Sequence, residues 1–292
     1  MLCNAHRKTK NRLIIGLTIN VMLFTLAFSQ IQPARSISTE WDFNSYISSS
    51  YYYTDDFSYG GEITIDNGGS LTLANLTLEI NDDFKIVIEG GGSLELQNVE
   101  IISQFNGGEV YNMAIQAKSQ SNLTIKNSKI SCIGRTTDPD FHEFDSSSIW
   151  CGENTTVDIQ NNKFTEPADQ PSNFIVLYKN GDEKTTIKNN TFEGRGDLYS
   201  EDIWRSLFVD TAYDYANLIV ENNTFFNTWP VEFSTSKGVS FTNNIIDTFL
   251  MPYETALYVE DCEDLTMSHN KIGRYFRLTQ LQNTFNVTIA NN

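Results

Sequence analysis

A chain of 292 residues, 40% of them apolar, is long and apolar enough to bury a continuous core, which excludes disorder as its ground state. It carries 37 acidic against 20 basic residues, a formal charge of −17 at pH 7. An acidic excess of that size repels nucleic acid and anionic lipid, and leaves cations, basic surfaces and neutral sugars as expected partners.

The first 29 residues hold four of the basic residues and no acid, so the remainder carries 16 basic against 37 acidic residues. Arg7, Lys8, Lys10 and Arg12 precede an apolar run over 13–28, and Ala27 and Ser29 supply small residues before Gln30. That order of charge, apolar run and small residues predicts a signal peptide over 1–29 and an exported chain, secreted or at the cell surface. The run is shorter than a spanning helix needs and contains Thr18, Asn20 and Thr25, which argues against a retained anchor. Membrane attachment would require that segment to be kept, or an anchor after residue 292.

Residues 30–60 contain Trp41, Phe43, Tyr46, Tyr51, Tyr52, Tyr53, Phe57 and Tyr59 and show no repeat. They are expected to form an aromatic-rich cap, because the first coil of a stacked sheet otherwise presents an open edge.

Beyond residue 60 the sequence repeats. Ile65-Asp66-Asn67-Gly68-Gly69-Ser70-Leu71-Thr72-Leu73-Ala74-Asn75 recurs 23 residues later as Ile88-Glu89-Gly90-Gly91-Gly92-Ser93-Leu94-Glu95-Leu96-Gln97-Asn98. The pattern apolar-x-apolar-x-Asn then returns as Leu123-x-Ile125-x-Asn127, Val157-x-Ile159-x-Asn161, the shorter Ile187-x-Asn189, Leu218-x-Val220-x-Asn222 and Val239-x-Phe241-x-Asn243. It closes as Leu265-x-Met267-x-His269 and Val287-x-Ile289-x-Asn291. Alternation with period two predicts strands, and a repeat of 21 to 34 residues is too short for a crossover helix. Each coil must therefore stack on its neighbours to bury its apolar face.

Three residues after the Asn column runs a second apolar column, namely Leu78, Ile101, Ile130, Phe164, Phe192, Phe225, Ile246 and Ile272. It predicts a second strand bent away from the first, with Asn tolerating the left-handed backbone of the bend. The doublets Asn161-Asn162, Asn189-Asn190, Asn222-Asn223 and Asn243-Asn244 predict an internal asparagine ladder. A third strand is expected before each first strand, at Ala114 to Ala117, Ile149 to Cys151, Val231 to Phe233, Leu257 to Val259 and Leu278 to Leu281.

These residues resemble the right-handed parallel β-helix repeats of the pectate-lyase-like superfamily, and the Gly-Gly-Ser-Leu opening is similar to repeats of archaeal and bacterial surface proteins. The resemblance covers roughly residues 60–292. It implies an all-β solenoid, a right-handed parallel β-helix of about nine or more coils of three strands. The sequence stops at Asn291-Asn292, where a further bend would begin, so the β-helix over 61–292 is expected to be incomplete at its C-terminal end.

The resemblance also implies a groove along the outer face of the third strands, walled by loops of variable length. By alternation, Trp150, Glu232, Tyr258 and Glu260 face outward there, together with Asp210 and Arg277. Trp150 and Tyr258 are candidates for carbohydrate binding, since a pyranose stacks on an aromatic ring while its hydroxyls meet charged acceptors. Asp210, Glu232, Glu260 and Arg277 are the candidate catalytic residues if the protein cleaves polysaccharide, which needs two carboxyl groups about one bond or, for a lyase, an Arg base. The polygalacturonase triplets Asn-Thr-Asp, Gly-His-Gly and Arg-Ile-Lys are absent.

Asp138, Asp140, Glu143 and Asp145 lie on the longest loop with His142, a carboxylate set that suits calcium but lacks the spacing and Gly of an EF-hand. Six Asn-x-Thr sequons begin at Asn75, Asn122, Asn154, Asn189, Asn222 and Asn286. Asn122 and Asn154 are the expected glycosylation sites, with Asn189 and Asn222 expected to be buried in the ladder. Cys132 and Cys262 are separated by several coils and are not expected to bridge, while Cys151 is expected to face the core in the column of Ala117.

The preferred reading is an exported, non-catalytic β-helix protein presenting an acidic face for carbohydrate, cation or protein binding. The alternative is a polysaccharide lyase or glycoside hydrolase.

Overall fold

The computed structural model describes residues 45–103, 105–106, 109–133, 147–166, 173–178, 183–194, 206–211, 215–228, 231–247, 255–273 and 277–292. All lie within the unit Ser38–Asn292. Their regular structure is entirely β, and apart from a short antiparallel pair at Phe105–Asn106 and Glu109–Val110 the strands pair in parallel.

First strands form one face, ordered from Ser50–Tyr53 through Ser70–Ala74, Ser93–Gln97, Asn122–Lys126 and Thr156–Gln160, and onward to Thr288–Ala290, ten strands among the described residues. Second and third strands share a 17-stranded sheet, because Phe57–Ile65 and Thr77–Ile88 run unbroken from the second face onto the third. Each strand pairs with its equivalent one coil away, so every residue stacks on the residue of like position.

The second-strand column shows this register. Phe57, Leu78, Ile101, Ile130, Phe164, Phe192, Phe225, Ile246 and Ile272 are successive Cα partners, and all but Ile272 are buried. Rings in this column stack face to face, Phe164 on Phe192 at 5.1 Å and Phe192 on Phe225 at 5.0 Å. Phe174 meets Phe192 edge-on at 5.5 Å across the interior. The expected fold, including this stack, is the one observed.

The ladder of coils starts earlier than the expected boundary at residue 60. Tyr46 and Ile47 pair with Thr64 and Ile65, Tyr51 and Tyr53 with Leu71 and Leu73, and Phe57 with Leu78. Residues 46–57 thus supply strands to all three faces. Their repeat escapes notice because the first bend is one residue shorter and has no Asn, while aromatic residues occupy aliphatic positions. Third strands also occur at Asn173–Tyr178 and Leu207–Asp210, of which the sequence pattern had set only Asp210 on the outer face.

The bend after each first strand uses the asparagines in two ways. Asn75, Asn98, Asn127, Asn161, Asn189, Asn222, Asn243, His269 and Asn291 all have φ between 52° and 58° and their side chains are exposed. Asn98 donates through Nδ2 to Asn75 Oδ1 at 2.9 Å, and Asn189 to Asn161 at 2.9 Å, forming an outer row. The second residue of each doublet turns inward. Asn190 donates from its backbone N–H (2.9 Å) and Nδ2 (3.0 Å) to Asn223 Oδ1, and from Nδ2 to Ile159 O at 2.8 Å, while its own Oδ1 accepts the equivalent pair from Asn162. The same pattern runs from Ser128 through Asn162, Asn190, Asn223, Asn244 and Asn270 to Asn292.

Candidate functional site

Two outward rows run along the third face. One is formed, coil by coil, by Val87, Gln116, Trp150, Val176, Phe208, Glu232, Tyr258 and Gln280, each the Cα partner of the next. Two residues further along the strands, Tyr178, Asp210, Ser234, Glu260 and Gln282 form the second row. Inward positions between them, Leu177, Val209, Phe233 and Val259, are buried, and this alternation fixes the outward direction of the rows.

Trp150, Glu232 and Tyr258 fall in the first row, and Asp210 and Glu260 in the second. Arg277 is in neither: it pairs with Thr255, which is 2% exposed, and shares its register parity with Leu257 and Thr279 rather than with Tyr258 and Gln280. Asp138, Asp140, Glu143 and Asp145 lie outside the described residues, and among the described residues no group of three acids, His or Cys converges on a metal position.

Sequence reasoning missed Phe208 and Tyr178. The run Phe174-Ile175-Val176-Leu177-Tyr178 is continuously apolar and shows no alternation to read, and Leu207–Asp210 is only four residues long. With Phe208 included, the first row carries an aromatic ring at every second coil, at Trp150, Phe208 and Tyr258. Val176 and Glu232 occupy the coils between. Trp150, Phe208, Glu232 and Tyr258 are each part-exposed, while Val176 is 2% exposed.

Gly152 shapes the first of these rings. A Cβ at Gly152 would sit 3.0 Å from Cη2 and 3.2 Å from Cζ3 of Trp150, so the absent side chain leaves the place that the indole occupies. The ring lies along its own strand against the sheet. Glu232 lies between Phe208 and Tyr258 in the first row, with Asp210 one coil before and Glu260 one coil after in the second. Thr235 Oγ1 donates to Asp210 Oδ1, and Gln282 Nε2 donates to Glu260 Oε1 at 2.7 Å.

Lysines elsewhere are spent on neighbouring coils. Lys118 meets Glu89 at 2.7 Å, Lys129 meets Glu100 at 2.7 Å, Lys163 meets Glu193 at 2.7 Å and Lys188 meets Glu221 at 2.8 Å, each across one coil step. Such exposed pairs each contribute at most about 1 kcal/mol, but they neutralise acids on all three faces.

The sequon asparagines are all exposed, Asn189 and Asn222 included. Their expected burial is corrected: the left-handed bend turns the first Asn of each doublet to solvent, and the buried amides are those of Asn190 and Asn223. Asn122 opens a first strand and Asn154 sits at φ 54° in the turn before one. Cys132, Cys151 and Cys262 are free and buried, with Cys151 in register with Ala117. Burial pushes the Cys132 thiol up to about 12 and that of Cys262 to about 11.

Two solved structures, both of the Streptococcus pneumoniae surface protein and adhesin PfbA, are similar to this chain at 10% identity. One has a TM-score of 0.36 and covers 84% of this chain and 91% of its own; the other has a TM-score of 0.37 and covers 83% and 84%. No curated protein sequence matches. The family model described as the right-handed beta helix region matches residues 114–292, more than half of the chain. With its parallel coils, three strand faces and stacked core, the chain belongs to the right-handed β-helix family.

Proposed function

We propose that the protein is an exported, non-catalytic solenoid of the cell surface or extracellular space that binds carbohydrate along its third face. The observation that carries this reading is the row in which Trp150, Phe208 and Tyr258 recur at every second coil among Val176, Glu232 and Gln280. Rings held part-exposed on a rigid sheet give stacking surfaces with little ordering cost, and the interspersed carboxylate and amide side chains accept and donate to hydroxyls. The signal-like residues 1–29 support export.

Affinity electrophoresis of the protein through gels containing soluble β-glucan, xylan, mannan, glycol chitosan or polygalacturonate tests the reading. Retardation by at least one polymer is expected, together with its loss in the Trp150→Ala, Phe208→Ala double variant. Equal mobility in every gel overturns carbohydrate binding. Release of new reducing ends or unsaturated products from any of these polymers, abolished by Glu232→Gln, overturns the non-catalytic assignment in favour of a hydrolase or lyase.

A further inference from the structure

We infer that the third face selects an extended, 1,4-diequatorially linked chain of amine-bearing sugars, lying along the solenoid axis with alternate residues stacked on Trp150, Phe208 and Tyr258. The inference rests on the carbohydrate-binding reading above and adds linkage geometry and charge to it.

Linkage follows from spacing. The three rings occupy one row with a single coil between successive members. At the usual separation of parallel strands, two coils advance about 9.5 Å. That advance is close to the disaccharide repeat of a two-fold, diequatorial 1,4-linked chain, in which every second residue presents the same face. A chain with an axial linkage coils and does not return the same face at that interval. Val176 lies between Trp150 and Phe208 in the row and places no polar group between them.

Charge selects among such chains. The residue between the stacks on Phe208 and Tyr258 lies over Glu232, with Asp210 and Glu260 in the adjoining row one coil to either side. A protonated amine there meets a carboxylate, which attracts it through charge. The chain's formal charge of −17 acts in the same direction and disfavours uronate polymers.

The closing experiment is isothermal titration of the protein at pH 6 with β-1,4-linked glucosamine oligomers of two to six residues, their N-acetylated counterparts, cellohexaose and a galacturonate hexamer. The glucosamine hexamer is expected to bind at least tenfold more tightly than cellohexaose or the N-acetylated hexamer. Affinity is expected to step upward at three and again at five residues, the lengths that first reach two and three rings. Glu232→Gln should lower the ratio of glucosamine-hexamer to cellohexaose affinity about tenfold.

A neutral hexamer binding as well as the amine, or a smooth rise with length, overturns the inference while leaving carbohydrate binding intact. Equal binding of the glucosamine hexamer by the parent and by Trp150→Ala, which keeps every charge, reduces the effect to diffuse attraction of a polycation and also overturns it. Absence of binding by every oligomer removes the carbohydrate reading itself.

Discussion

Asn189 and Asn190 are adjacent in sequence and opposite in environment. Asn189 holds φ at 57° with its side chain in solvent, whereas Asn190 is 1% exposed and each of its amide atoms is hydrogen-bonded within the ladder. Asn190→Ala leaves the Asn162 backbone N–H without its acceptor and takes from Asn162 Nδ2 one of its two acceptors, Ile125 O remaining, at about 1–3 kcal/mol for a buried group left unsatisfied, besides the lost packing. Urea denaturation should therefore show a loss on the order of 3 kcal/mol. Asn189→Gly keeps the left-handed backbone and should change stability by less than about 1 kcal/mol, while Asn189→Ala should cost about 1–2 kcal/mol. The doublets announced a bend and a ladder, but the rotation of the bend decides which member is buried, and composition carries no trace of that. The cysteines give a second residue-scale test. Because the folded thiol pKa of Cys132 is raised to about 12, the folded state keeps its proton where the unfolded state loses it. That contribution to stability is full below the ordinary thiol pKa near 9 and declines as pH rises toward 12. Melting temperature should fall between pH 9 and 11. At pH 8, thiol reagents should label none of Cys132, Cys151 and Cys262 until the chain is unfolded.

Among the elements, second strands were the most legible and third strands the least. Second strands follow at a fixed interval from an Asn that the bend requires, so Phe164, Phe192 and Phe225 could be aligned from sequence and do stack. Phe192 touches rings above, below and across the core, and Phe192→Ala should destabilise the fold by about 3–5 kcal/mol with the β-type circular dichroism retained in the surviving native state. Third strands follow loops of unequal length, which removes the fixed interval, and Asn173–Tyr178 lacks alternation because Phe174 and Val176 are buried as well as Ile175 and Leu177. For that reason Trp150 and Tyr258 were visible as isolated candidates, whereas their relation to Phe208, two coils from each, emerges only from register. Arg277 shows the same difficulty: its strand follows a loop, and its register with Thr255 rather than with Tyr258 emerges only from the pairing.

At the scale of the whole molecule, each coil touches only its neighbours, and stability is close to a sum over coil interfaces. The inner asparagines make those interfaces alike: Asn162, Asn190, Asn223, Asn244 and Asn270 each donate to the next coil and accept from the one before. Excising residues 190–222 would join Asn189 directly to Asn223, placing Asn223 Oδ1 where Asn162 now finds Asn190 and setting Phe164 against Phe225. This shortened protein should fold with a single cooperative transition, while removal of residues 190–206 alone, which joins a first-face strand to a third-face strand, should yield no cooperative melt. The doublet thus works as a splice mark. Because the junction looks the same from either side, the length of the solenoid is free to change in whole coils, through duplication or loss of one gene segment, without redesign of the core on either side.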